Sequence, residues 1–569
     1  MPARPGGGSD AAFAPDAAAH FDAGSAIDAG SPEAGRTDAG SASDAGSTDA
    51  GGTPDAGSAD AGGTPDAGAP PDAGAPPDAG ILDAGTMPDA GPASITLEVA
   101  ANPNNVVSAI ATVVWAGDLR SVSIQALAGA NIATPAFPLS ASPASEPLLG
   151  LAAATAYTFQ ATGEDAQGNS VESNEVQFTT GFLPMTLPHY TTTGVASGTA
   201  LTLIARLQHT GGPDYAAIVD GNGVPVWYFN IPDNADMHSD FQQQPDGTFT
   251  VALPADAAHM LPIGGLSAVY GQVDVLGNLI HTWTGLNKDG SGEVVDTAGN
   301  TITILATDLH DIRLQPDGSA LLFGYVEQDL DFSPLGGRQQ AHAYASVLER
   351  VEPDGTVVFA WNSAEQVSPA DIDPVATSVT GPNVDLTHAN SIEVMADGNY
   401  LISMRNLSQV LKIDATSGAI LWRLGGAGIS TPSSGGPTGD FTFVNDPLNG
   451  FSCQHAAREL PNGDIIVFDD GNGHSPPQSR GVEYALDLSS RTATFVWDST
   501  PSTALFTKLM GYAQRLQNGH TLVAYGEAVT LEEWDAAGTG VLWSLTDPAA
   551  PYGFYRAYRI GSLYGYEPQ

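Results

Sequence analysis

From about Ala93 onward, apolar and polar positions alternate over short runs, beginning with SITLEVAA, SAIATVVWAG and SVSIQALAG. A period of two, with turn residues between the runs, predicts half-buried β-strands. From about Leu183 two further cues recur. One is a turn followed by an apolar strand that ends in tryptophan, at Trp227, Trp283, Trp361, Trp422, Trp497 and Trp543. The other is an Asp-Gly or Asn-Gly turn between apolar runs, as in QQPDGTFTVAL, RLQPDGSALLF, VMADGNYLISM, ELPNGDIIVF and RLQNGHTLVAY. Gly and Asn accept positive φ, so such turns suit tight hairpins.

Six tryptophan-ended copies, spaced unevenly from 46 to 78 residues, predict six blades of a β-propeller joined by loops of variable length. Large aromatics at equivalent strand positions fill the space between blades and report architecture, not chemistry. Just upstream, LAAATAYTFQATGEDAQGNSVESNEVQFTTG (Leu151–Gly181) resembles the last strands of a fibronectin type III domain. Tyr157 would sit in its apolar corner, Gly168-Asn169 in a hairpin, and Trp115 in its buried core. The expected fold class is all-β, with a disordered Asp-Ala-Gly-rich spacer over 1–91, a fibronectin type III-like β-sandwich over 92–182 and a six-bladed β-propeller over 183–569.

Composition separates the spacer from the rest. Asp-Ala-Gly occurs twelve times between Asp22 and Asp89, with almost no apolar side chains between copies. Such a segment buries too little to offset the entropy of ordering, and its carboxylates repel one another, so it is expected to stay extended. Fifteen acidic residues there face only Arg4 and Arg36, out of a chain net charge of −46. A field of that sign, with no Lys/Arg cluster to break it, excludes a nucleic-acid partner. No apolar run is long enough for a transmembrane helix, and the opening MPARPGGG lacks the apolar centre of a signal peptide. Cys453 is the single cysteine, so no internal disulfide forms.

Histidine recurs just ahead of the hairpin turns. His310 precedes Gly318 by eight residues, His455 precedes Gly463 by eight, and His388 precedes Gly398 by ten. Equivalent strand starts in a propeller converge on one mouth of the axis, so three imidazoles are expected to share a site. Arg405 follows on the strand returning from the His388 hairpin, inside an apolar stretch, where a guanidinium needs an anionic partner. His238, nine residues before Gly247, is either a first-blade counterpart or a surface residue.

The motifs LHDIRLQPDG, THANSIEVMADGNYLISMRN, GAILWRLGG and CQHAARELPNGDIIVFDDGNG, in that order, resemble the bacterial aryl sulfotransferases that need no nucleotide sulfate donor. The resemblance implies that His455 is the nucleophile that becomes transiently sulfated in a ping-pong exchange. It implies that His310, His388 and Arg405 bind sulfuryl oxygens and assist proton movement, and that Asn390 and His238 lie with the substrate-binding groups. It implies a phenolic sulfate donor, a phenolic acceptor, no cofactor and no metal, and it allows a homodimer. With the spacer, it places the protein outside the cytoplasm, in the periplasm or at the cell surface.

The chemistry suits these groups. Neutral imidazole is a competent nucleophile near neutral pH, and a phenolate, whose conjugate acid has a pKa of about 10, leaves readily. Arginine stays cationic, donates several hydrogen bonds to an oxyanion and keeps a neighbouring imidazole neutral. The aromatic stretch PYGFYRAYRIGSLYGY either lines a mouth for rings or closes the last blade. Two alternatives stay open on the residues alone. Three histidines with Asp311 beside them are a metal-capable set for a propeller hydrolase. A silent extracellular binding scaffold would leave the histidines as core groups. Asp469 and Asp470 read as turn-stabilising, with a metal-binding role as the second option.

Overall fold

The chain divides into two units, Met1–Ala84 and Gly85–Gln569. The computed structural model describes residues 92–129, 132–206, 214–231, 240–254, 261–263, 267–425, 441–499, 505–547, 549 and 553–566, which lie in the second unit. The acidic repeat and His238 lie outside the described residues. What is described is all-β, strands joined by turns and a few 3₁₀ segments.

Residues 94–179 form two facing sheets. Ser94–Ala101, Ala109–Ala116 and Ala144–Leu148 make one, and a second is built on Leu119–Ala128 and Ala156–Asp165. Their inward positions, Ile95, Leu97, Val113, Ile124, Tyr157 and Phe159 among them, form a separate apolar core. Tyr157 takes the corner position expected of it, its hydroxyl accepting from Ala152 N at 2.7 Å. Trp115 is not the buried core residue expected: it packs against this core from near the end of its strand but is only half-buried, and the buried aromatics are Tyr157 and Phe159. Asn105 Nδ2 donates to Tyr228 O at 3.1 Å, and Leu149 N to Tyr564 Oη at 2.9 Å, tying this segment to the strands that follow.

Among the described residues, the remainder holds six sheets of four or more strands, antiparallel except where Asn383–Asp385 and Thr442–Val444 each add a parallel strand. Sheet I joins Leu201–Arg206, Asp214–Val219 and Pro225–Ile231 to Phe554–Ile560 from the far end of the chain. Sheets II to VI begin in turn with Phe241–Gln243, Ala306–Leu314, Ala389–Val394, His455–Glu459 and Gly511–Arg515. These leading strands, with Phe554–Ile560 leading sheet I, are linked to one another in a ring. Tyr558 Oη donates to Asp240, Gln242 to Ile312 O, Ile392 N to Asp311, Asn390 to Gln454 O, and Gln514 to Arg559 O, while Arg458 lies over the Tyr512 ring.

The sequence cues explain the frame. Gly247, Gly318, Gly398, Gly463 and Gly519 have φ between 83° and 88°, as their hairpins require. All six tryptophans fall on the fourth strand counted from the leading one, and none is more than 6% exposed. Trp227, Trp361 and Trp543 each donate an indole N–H to a turn carbonyl of the next sheet, at 2.8 Å. The Trp543 bond reaches Gly221 of sheet I, so it spans the closure between the two ends of the chain. Thr191–Gly194 completes that closure by pairing with Val541–Thr546 of sheet VI.

Glu349 is the exception to this packing. Its carboxylate is fully buried, lies too close to Gly285 and Gly324 for any side chain there, and has no hydrogen-bond partner among the described residues. Burial raises its pKa well above the ordinary carboxylate value, so the folded state holds a proton that the unfolded state releases. Stability is therefore lost as pH rises from the unfolded pKa towards the folded one. Glu349→Met should stabilise the protein by about 1–3 kcal/mol at pH 8, with the gain shrinking towards pH 5, in denaturant titrations at both pH values.

Candidate active site

The three histidines enter the ring from the same ends of three successive leading strands. Each stands at or next to a place where the ladder to the next strand slips register: His310 between Thr307 and Ile312, His388 just before the slip between Ala389 and Ser391, and His455 at the start of the slip that runs to Arg458. Such bulges bend a strand and re-aim its side chains. His388 and Ala456 take positive φ, 49° and 53°, at or beside two of these slips. The result brings the rings together. His310 and His388 have centroids 4.7 Å apart, and Tyr555, on the leading strand of sheet I, lies 5.5 Å from His310 and 6.3 Å from His455.

Each imidazole is held through Nδ1 by its own carboxylate. His310 Nδ1 meets both oxygens of Asp308, at 2.8 and 2.9 Å. His388 Nδ1 meets Asp385 Oδ2, and His455 Nδ1 meets Asp470 Oδ2 at 2.7 Å. A proton shared at Nδ1 leaves Nε2 of the neutral ring with the lone pair. Asp470, read from sequence as a turn residue, is thus a site residue. Its neighbour Asp469 serves the frame, accepting from Ser452 N, His474 and Arg480.

Arg405 is brought beside His388 by its own backbone, which donates to the His388 carbonyl at 3.1 Å. The residue is 5% exposed. Its Nη1 donates to Ala376 O and Asn406 Oδ1, both at 3.0 Å, its Nε has no partner, and among the described residues no carboxylate forms an ion pair with it. A buried guanidinium left with two neutral acceptors is a standing demand for an oxyanion. Its charge acts on the neighbours. Burial first, then Arg405, pushes His455 well below the ordinary imidazole value, and burial likewise lowers His388. Burial pushes the Asp470 carboxyl up while Arg405 opposes it.

Asn390 stands differently from the substrate-facing position its motif implied. Its amide donates to Gln454 O at 2.9 Å and accepts from Ala456 N at 3.3 Å, gripping the backbone on both sides of His455. Asp311, adjacent to His310 in sequence, points away from the imidazoles. It is ion-paired to Arg458 and Arg556, each at 3.2 Å, and accepts from Ile392 N, so it is not the fourth ligand of a histidine metal site. Among the described residues, the group of three or more His, Cys, Asp and Glu donors lying within 4.8 Å of one another is the exposed set Glu327, Asp329 and His342, not the imidazole cluster. Tyr555 was visible in sequence only as one tyrosine of an aromatic stretch, and the ring closure is what delivers it to the site.

With three histidines and an arginine brought together, the family match decides the assignment. The family model described as Arylsulfotransferase (ASST) matches residues 190–544. The chain belongs to the arylsulfotransferase family. No curated protein sequence matches it. Among solved structures, the arylsulfotransferase chain is similar to a Bacteroides caccae protein of unknown function, at 16% identity over 64% of this chain and all of that one, TM-score 0.36. It is also similar to a Lactobacillus plantarum protein, at 11% identity over 78% and 99% of the two chains, TM-score 0.29. A third is apo AztD from Citrobacter koseri, at 9% identity over 82% and 98%, TM-score 0.25. No helix of the described residues is long and apolar enough to cross a membrane.

The electrostatics of this arylsulfotransferase site yield a direct test. Nitrogen-detected NMR should find His455 neutral at pH 6 and protonated on Nδ1, and Arg405→Gln should raise its pKa, because a like charge has been removed. A His455 that titrates at the ordinary value in both proteins would contradict the geometry.

Proposed function

We propose that the protein transfers a sulfuryl group from a phenolic sulfate ester to a phenolic acceptor by a ping-pong route through a sulfated His455, without a nucleotide donor. The observation that carries this is the buried, unpaired Arg405 beside three imidazoles that are each held through Nδ1. In this reading the six sheets are the blades of a β-propeller, residues 92–182 are a fibronectin type III-like module, and residues 1–91 are a spacer that extends the enzyme away from an extracytoplasmic surface.

The donor's sulfuryl oxygens dock on the unspent donors of Arg405, and His388, which burial keeps uncharged, lines the site beside His310. His455 Nε2 forms the N–S bond as the S–O bond to the aryl group breaks, and the electron pair leaves on the phenolate oxygen. Positive charge then spreads over the His455 ring, and the Asp470 carboxylate offsets it, as a buried carboxylate does for an imidazolium in acyl transfer. His310 is the better proton carrier of the remaining pair, because both oxygens of Asp308 close on its Nδ1 and suit an imidazolium. It protonates the departing phenolate and takes the proton back from the incoming phenol. Tyr555 supplies an aromatic face between His310 and His455, and Asn390 holds the nucleophile's backbone rather than the substrate.

Initial rates with 4-nitrophenyl sulfate and a phenol acceptor should give parallel double-reciprocal lines. Asp470→Asn should cost about 10²- to 10⁴-fold in kcat, the loss expected when the group fixing an imidazole tautomer is removed. His310→Ala should cost more with phenyl sulfate than with 4-nitrophenyl sulfate, because the better leaving group needs less proton assistance. Intersecting lines, or equal losses on both donors, would count against these assignments.

A further inference from the structure

The leading strands carry a second pattern that the sulfuryl site does not use. Arg313 follows His310, and Arg458 follows His455, by three residues, and Arg559 follows Tyr555 by four. Three residues of strand cover about 10 Å, so the arginines gather at the other end of the ring axis from the imidazoles. Between the two ends lies a fully buried polar layer. Asp311 pairs with Arg556 and Arg458, each at 3.2 Å, and Gln242 donates to Asp240 at 2.6 Å. None of Asp240, Gln242, Asp311 and Arg556 is more than 2% exposed, so the axis is closed there.

Beyond that layer is a cavity of about 110 Å³, lined by Arg313, Arg458, Tyr512, Tyr558 and Tyr566 among others. Most of the charge in its wall is already answered. Arg515 faces Glu483, Arg559 faces Glu533, and Arg458 faces Asp311 and Glu393. Arg313 is paired as well, its Nε lying 3.5 Å from Asp311 and donating to Ile392 O at 3.1 Å, but its Nη2 is buried and has no partner among the described residues. A charged donor orphaned beside a cavity calls for an acceptor that is not part of the protein.

We propose that this end of the axis is a second small-molecule site, which takes a compact aromatic carboxylate. The carboxylate accepts from Arg313, whose planar fork suits two parallel hydrogen bonds. The ring lies between Tyr512 and Tyr566, the latter 39% exposed at the rim. The volume sets the size, since a cavity of about 150 Å³ accommodates benzene and this one opens to solvent on one side. Glu393 shares the wall, and burial raises its pKa, so towards acid pH it turns from a competitor for Arg313 into a hydrogen-bond donor to the ligand.

Benzoate is the probe, because it has no phenolic hydroxyl with which to act as an acceptor. Calorimetric titration of the full chain at pH 6 should give a saturable site that is unchanged in His455→Ala and in Arg405→Gln and weakened at least tenfold in Arg313→Gln and in Tyr566→Ala. Tyr566 is exposed, so its variant reports on the cavity even if Arg313→Gln disturbs the buried layer. Absence of saturable binding, loss of binding in His455→Ala, or full binding in Tyr566→Ala would each overturn the proposal.

Discussion

A guanidinium buried without a counter-ion is the constraint around which this protein is arranged. Arg405 has two neutral acceptors and a donor with none, inside a chain with only 18 Lys and Arg against 64 Asp and Glu. Any of the many carboxylates would neutralise it, yet those nearest the site are committed elsewhere: Asp308, Asp385 and Asp470 each to an imidazole. Two consequences follow from the same charge. The site favours an oxyanion despite the acidic surroundings, and the imidazole at 455 stays deprotonated and nucleophilic. Binding and activation therefore do not have to be tuned separately.

The frame makes that arrangement affordable in stability. Cross-sheet indole hydrogen bonds, five hairpin glycines at positive φ and a closure shared between the first and last strands hold the leading strands in a ring. Within that ring, His310, His388 and His455 stand at or beside register slips in three successive sheets, His388 with a positive φ of its own. Strands carry His310 and His455 and hold His388 one residue from a strand start, and the paired aspartate sets the rotation and tautomer of each.

Much of this could be read from the sequence, and the reasons differ by residue. The tryptophans and Asp/Asn-Gly turns mark repeated strands because each local rule, hairpin geometry and between-sheet packing, acts on neighbours in the chain. His310, His388 and His455 were found because they keep a fixed offset from those turns. Asp470 was read as a turn residue, since nothing local shows that the strand leaving His455 folds back to bring it to the ring. Tyr555 reaches the site only through the pairing of Leu201–Arg206 with Phe554–Ile560, a contact across most of the chain. Asn390 was placed with the substrate by motif, but the register between sheets IV and V spends its amide on the backbone. Trp115 failed for a simpler reason: alternation gives a side chain's direction, not how far the opposing sheet extends to cover it.

The central claim is that His455 carries the sulfuryl group covalently. Rapid acid-free quenching of the protein with 4-nitrophenyl sulfate, followed by peptide mass spectrometry at neutral to basic pH, tests it most directly. The account predicts one added sulfuryl group on the His455 peptide, placed on Nε2, discharged by phenol and absent from His455→Ala. Turnover of the donor with no adduct on that peptide, or an adduct that survives in His455→Ala, would contradict it.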